Sequence, residues 1–188
     1  MLVPHRLLWK PDLDFQMTKL LFAAGLAALL TATCMHPAAS SSTLECRVEP
    51  RAPLTAGGPA EIRFALTNPS REPLWFLRWN TPFEGWMGSV FTVTGPDGTE
   101  LPYTGPMVKR GDPSRDEYVQ IPPGGTVDAV VDLANVYDLR EPGRYRLRVT
   151  GGIADLTSDG SAVPRPREGH QGVELRCGEV TLEVSPRQ

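Results

Sequence analysis

Residues Glu141 to Val149 read EPGRYRLRV. Tyr145, Leu147 and Val149 fall on one side of a period-two repeat, with Arg144, Arg146 and Arg148 on the other. That is the pattern of a strand with one face in a core and one in water. The arginine row reads as the solvated face of an antiparallel strand. Tyr145 also stands two residues after Gly143 at the strand entrance, the tyrosine-corner pattern of immunoglobulin-like sandwiches. Leu147 occupies the position where such folds usually carry the second cysteine of an inter-sheet disulfide.

The same alternation extends outward in both directions. Leu44, Cys46 and Val48 share one face of a first strand, and Ile62, Phe64 and Leu66 a face of the next, with Glu61, Arg63 and Thr67 opposite. Phe91 and Val93 precede the turn Gly95-Pro96-Asp97-Gly98. Val127, Ala129, Val131 and Leu133 follow Pro122-Pro123-Gly124-Gly125 as another inward row. The apolar phase then shifts from Leu175 and Cys177 to Val180, Leu182 and Val184, which predicts a bulge at Gly178. No helical stripe interrupts this pattern. About eight or nine short strands between Gly/Pro turns predict an all-β, immunoglobulin-like antiparallel β-sandwich over residues 41–188. Residues 151–172 (GGIADLTSDGSAVPRPREGHQG) have almost no apolar period and read as a long mobile loop between the last two strands.

Leu20 to Thr33 is an uncharged apolar run behind Lys19, followed by Ala38, Ala39 and Ser40. This predicts a signal peptide over residues 1–40, with translation starting at Met17, because Asp12 and Asp14 suit a positive n-region badly. Thr31 and Thr33 mismatch a lipidation motif at Cys34, so a secreted or periplasmic protein is favoured over a lipoprotein. Cys46 and Cys177 then remain as an even pair in an oxidising compartment and are predicted to bridge first strand to last. Of the 19 basic and 22 acidic residues, Arg6, Lys10, Lys19, Asp12 and Asp14 precede residue 40. The excess of acids that remains argues against a nucleic-acid partner, and no membrane span is predicted.

Chemistry is sparse. His170 is the one histidine past residue 40, and neither H-E-x-x-H nor G-x-S-x-G occurs. A triad would have to recruit His170 with Ser158 or Ser161 from one loop. Asp155, Asp159 and Ser161 lack an EF-hand spacing and read as a solvated acidic loop. Asp116 and Glu117, as neighbours on a strand, would point to opposite faces and read as surface charge. Arg110-Gly111-Asp112 is an adhesion tripeptide of a kind that arises by chance. The prediction is a protein that is not an enzyme, with no cofactor and no metal site.

In Pro73–Trp86 (PLWFLRWNTPFEGW), Trp75, Leu77 and Trp79 face one side, and Leu74 and Phe76 the other. A strand apolar on both sides is covered on both sides. Asn80 to Gly85 is predicted to fold back as its lid over Phe83. Trp86 is the aromatic whose burial this pattern does not require, which makes it a candidate platform for a glycan or a partner.

Trp79-Asn80-Thr81-Pro82-Phe83-Glu84-Gly85, Phe91-Thr92-Val93, Tyr103-Thr104-Gly105, Lys109-Arg110, Pro113, Tyr118, Leu133, Tyr137 and Pro142-Gly143-Arg144-Tyr145 form an ordered series. It resembles the non-catalytic N-terminal domain of secreted peptidyl-Lys metalloendopeptidases of the deuterolysin type, over about residues 45 to 150. A looser likeness, in Phe64-x-Leu66-Thr67-Asn68 and Pro142-Gly143-x-Tyr145, runs to small bacterial proteinase-inhibitor sandwiches. In the deuterolysin family a zinc domain with H-E-x-x-H follows; residues 1–188 hold no counterpart, so no catalytic or metal residue carries over. The resemblance implies a stand-alone accessory module whose partner is a secreted metallopeptidase, bound as inhibitor or folding assistant. Trp86, Tyr103, Lys109 and Arg110 are the candidate contacts, Lys109 being the only lysine past residue 40. The alternative is an envelope or extracellular adhesion and glycan-binding module.

Overall fold

The computed structural model describes residues 44–188; the signal peptide, the start at Met17 and the question of Cys34 lie outside the described residues. Twelve strands form: β1 (Glu45–Pro50), β2 (Leu54–Thr55), β3 (Glu61–Thr67), β4 (Leu74–Leu77), β5 (Phe91–Thr94), β6 (Tyr118–Ile121), β7 (Thr126–Asp132), β8 (Gly143–Val149), β9 (Gly152–Ile153), β10 (Leu156–Thr157), β11 (Val173–Glu174) and β12 (Glu179–Ser185). Eight of them have four residues or more, as the alternation predicts; β2, β9, β10 and β11 are two-residue pieces too short to show a period. Among the described residues no helix is long and apolar enough to cross a membrane.

Two sheets, ordered β1-β3-β7 and β2-β12-β8-β5, form the sandwich. Val48, Ile62, Phe64, Leu66 and Val131 from the first join Phe91, Val93, Tyr145, Leu147, Leu182 and Val184 from the second in one core cluster. Each such side chain contributes about 1.5–3 kcal/mol by leaving water. Arg144, Arg146 and Arg148 are exposed, and Arg144 pairs with Glu183 across the strands. The Tyr145 hydroxyl donates to Glu141 O at 2.8 Å, closing the corner. Gly143 beside it takes φ 147°, and a Cβ there would meet the Pro96 ring at 2.7 Å. Gly178, at φ 70°, turns the chain immediately before β12, where the apolar phase shifts. The predicted disulfide is present: Cys46 on β1 is bonded to Cys177 ahead of β12, 131 residues away. It staples one sheet to the other, and the chain-entropy model assigns such a closure about 5 kcal/mol.

The sandwich has an annex. β3 and β7 pair up to Thr67 opposite Thr126, and the same two chain segments pair again as β4 and β6 from Leu74 opposite Ile121. The ribbon bends between them, and fully buried Asn68 fills the crease. Its Nδ2 donates to the carbonyls of Glu72, Ile121 and Pro122 at 2.7, 3.1 and 3.2 Å, while Oδ1 accepts from Ser70 N and Oγ. Its own N–H donates to Gly125 O. A short amide can answer both strands of a bend at once, which an apolar residue there cannot do.

β4 is covered on both faces, as its composition predicts. Leu74 and Phe76 enter the main core. The turn Pro82–Glu84 caps that side, placing Phe83 edge-on to Phe76 and Phe64 at 5.1 and 5.8 Å. Leu77 and Trp79 form a second cluster with Tyr118 and Val163, flanked by Trp75.

The cover on that second face comes from residues 151–172, which read in sequence as a long mobile loop and which here contain short strands. The segment carries β9 and β10, pairs with β4 and β11, and buries Ile153, Asp155, Leu156 and Val163. Its sequence shows no apolar period because polar bonds hold it. Asp155 is fully buried and accepts from both Nε and Nη2 of Arg165, from the Tyr118 hydroxyl at 2.7 Å and from Gln171 N–H at 2.7 Å. Arg115 donates to the carbonyls of Gly160 and Val163. Burial alone would raise the Asp155 carboxyl, but the bonds from Arg165, Gln171 and Tyr118 outweigh it and hold the group below the usual carboxylate range. Burial and the bond to Asp155 push the Tyr118 phenol up to about 12.

A carboxylate with a depressed folded pKa adds stability that is complete at neutral pH and lost as pH falls across the acid range through and below the usual carboxylate pKa. Asp155→Ala should cost about 3–5 kcal/mol at pH 7, because Arg165 loses its partner. Asp155→Asn should flatten the acid limb of the stability curve. Urea denaturation across that pH range checks both, and an unchanged acid limb in the Asn variant would refute the assignment.

Candidate functional site

Between β5 and the turn Arg115–Glu117 the chain runs through residues 101–114, which form no strand. Tyr103, Lys109 and Arg110 lie on it, and Trp86 lies on the segment leading into β5. The structure sets the two segments side by side, with Trp86 against Tyr103 and Val108 bonded to Met87, but gives the four residues different tasks.

Trp86, the candidate platform, is half-buried. Its Nε1–H donates to Asp132 O at 3.2 Å, and its ring lies edge-on to Phe91 and Tyr137 and tilted against Tyr103, with centroids 6.0–6.3 Å apart. Such an aromatic cluster is a wall of the core. Strand parity cannot reveal this, because the partners come from three separate segments. Tyr103 is half-buried as well; its hydroxyl donates to Pro106 O at 2.9 Å, and burial raises its pKa.

Arg110 is the hub. Its guanidinium pairs with Glu84, whose side chain is almost wholly enclosed, and lies 5.1 Å from the centre of the Trp79 ring. Glu84 also accepts from Asn80 N–H at 2.7 Å, holding Asn80 at φ 53°. Trp79 Nε1–H donates to Glu117 at 2.6 Å, and Glu117 closes a capping box with Ser114. Burial would raise Glu117, yet the Ser114 N–H, the indole N–H, the Ser114 hydroxyl and nearby Arg78 keep it low. Asp116 and Glu117 are therefore in a 3-10 turn rather than a strand, and Glu117 is a structural acceptor rather than spare surface charge. The signal available in sequence was Ser114-x-x-Glu117, a capping-box spacing.

The motif Trp79–Gly85 thus builds a clamp. Thr81 caps the turn by accepting from Phe83 N–H, Pro82 opens it, and Gly85 leaves it at φ 72°. The adhesion tripeptide is fastened at both ends: Arg110 by Glu84, and Asp112 by the N–H of Arg167 at 3.1 Å. Lys109 remains exposed beside Met107 and Val108.

Neither His170 nor the acidic loop assembles chemistry. His170 Nε2 donates to Arg165 O at 3.1 Å and its ring sits edge-on to Trp79. Asp159 closes its own turn through Ser161 N–H and Oγ. Asp155, expected to be solvated, is buried as described. Among the described residues no three His, Cys, Asp or Glu side chains gather as a metal group.

Comparison with known proteins agrees with where the motifs point. The chain is 27% identical over 112 residues to a neutral protease 2 homolog of Arthroderma gypseum, covering 58% of this chain and 30% of that protein. To a neutral protease 2 homolog of Trichophyton verrucosum it is 26% identical over 164 residues, 86% of this chain and 40% of the relative. To an extracellular protease of Aeromonas hydrophila it is 25% identical over 128 residues, 67% and 35% respectively. The link to these proteases is distant. The chain spans 30% to 40% of the length of these three relatives. No family model matches it.

If the clamp holds the 101–114 segment, Arg110 and Glu84 are energetically coupled. A double-mutant cycle with Arg110→Met and Glu84→Gln should return a coupling of about 1–3 kcal/mol in thermal or urea denaturation. A coupling near zero would show that the pair does not hold the loop.

Proposed function

We propose that this chain is an exported, non-catalytic binding module that associates with a metallopeptidase, acting on it as an inhibitor or folding assistant. One observation carries the reading. Of the residues quoted for the resemblance, Trp79 to Gly85 and Arg110 converge on one clamp that holds a loop at the surface, and Lys109 stands exposed on that loop. A motif that builds a surface loop points to recognition rather than turnover. The similarity to proteins named as neutral or extracellular proteases supports a peptidase as the partner. Export is supported by the Cys46–Cys177 bridge, a feature of oxidising compartments. The adhesion and glycan reading loses its main support, because the Trp86 ring is engaged by Phe91, Tyr103 and Tyr137.

Two assays divide the inhibitor from the assistant. The full chain is titrated into the Aeromonas hydrophila extracellular protease during casein hydrolysis, and separately into the same protease as it refolds from denaturant. Slower hydrolysis identifies an inhibitor, and a higher yield of active protease identifies an assistant. No change in either assay up to tens of micromolar chain refutes peptidase association.

A further inference from the structure

We propose that the Pro106–Lys109 tip enters the substrate cleft of its peptidase partner in extended form, as a substrate mimic with its ends pinned from behind. This rests on the peptidase reading above and names the surface that would carry it. Four large apolar side chains are exposed among the described residues, and three of them meet here. Met107 is 83% exposed, Val108 42% and Met87 40%. The N–H of Val108 donates to Met87 O at 3.3 Å, which sets the two segments side by side. Lys109 follows at once and is exposed.

The tip is held without being covered. Tyr103 Oη bonds Pro106 O on one side, and Arg167 Nη1 bonds Arg110 O at 3.0 Å on the other. Arg110 turns inward to Glu84 and Trp79, while Met107, Val108 and Lys109 are exposed. Residues 106–110 form no turn, bend or helix, and none has a left-handed φ.

Peptidase clefts bind extended chain, pairing its main chain as an added strand and taking side chains into separate pockets. A chain already held in a bindable form gives up less entropy on binding. Were the tip cut, Tyr103 and the Arg110 clamp would keep both new ends near the cleft. The chemistry presented is an apolar side chain, then a β-branched one, then a lone cation. The matching cleft has an apolar pocket for Met107 and an acidic one for Lys109.

The test measures inhibition of the Aeromonas hydrophila extracellular protease by the full chain and by Met107→Asp, Lys109→Glu and Arg110→Met, with a short peptide substrate as competitor. Competitive inhibition is expected. Each tip variant should raise the inhibition constant at least about tenfold while leaving the thermal midpoint unmoved, since both side chains are exposed. Arg110→Met should weaken inhibition with the tip chemistry intact, because the pin is lost. Inhibition that both tip variants retain in full, or binding that leaves hydrolysis of the peptide unaffected, overturns the tip and spares the association. A wild-type chain that neither binds nor inhibits removes the association and the tip together.

Discussion

The buried carboxylate of Asp155 is the constraint on which the outer half of this molecule depends. A lone carboxylate is not tolerated in an apolar interior, so it must be answered by donors from every side. Here those donors come from three places in the chain: Arg165, the Gln171 main chain and Tyr118 on β6. Satisfying the charge therefore fixes the path of residues 151–172 across β4 and β6. Once that path is set, Leu77 and Trp79 have a cover, and Trp79 is held edge-on to His170, whose own ring is tied back to Arg165 O. Trp79 in turn offers its face to Arg110 and its N–H to Glu117. The surface loop thus rests on a buried charge through a short series of contacts.

An apolar replacement of comparable shape can match or exceed the stability of such a pair. What an ion pair with shared donors adds is direction. Leu or Val at position 155 would fill space while letting the segment slide, whereas two carboxylate oxygens with four donors admit one placement. The same logic governs Asn68 at the crease, where one side-chain amide binds carbonyls from both arms of the bent ribbon. The sandwich is held by burial, and the annex by directional polar bonds.

That division explains what could be read from sequence. Burial leaves a period, so the alternating rows of β1, β3, β5, β7, β8 and β12 are legible, as are the tyrosine corner at Tyr145 and the two-sided apolar character of β4. The Cys46–Cys177 bridge follows from arithmetic and compartment. Polar bonds leave no period. Residues 151–172 look like a loop because their anchors are Asp155, Arg165 and main-chain groups, and nothing in the local composition says that Asp155 meets Arg165. One clue was present: Asp155 lies between Ile153 and Leu156, an acid set among apolar residues. The candidate site was half legible for the same reason. Lys109 stands exposed as read, while Arg110 and Glu117 are taken up by partners remote in sequence, and Trp86 is packed by aromatics whose convergence only the fold supplies.

The motif on which the family resemblance rests thereby acquires a physical meaning. Trp79, Thr81, Pro82, Glu84, Gly85 and Arg110 are each used in one local assembly: a ring for a cation to lie on, a cap, a turn opener, a buried acid, a turn exit and the cation itself. Each depends on the others, since Arg110 without Glu84 is a half-buried cation lacking its counter-ion, and Glu84 without Arg110 an enclosed acid. Residues coupled in this way are constrained as a set whatever chemistry lies elsewhere in a longer protein. A likeness in such a set speaks for a common way of holding a loop. It gives no catalytic role to any side chain within it.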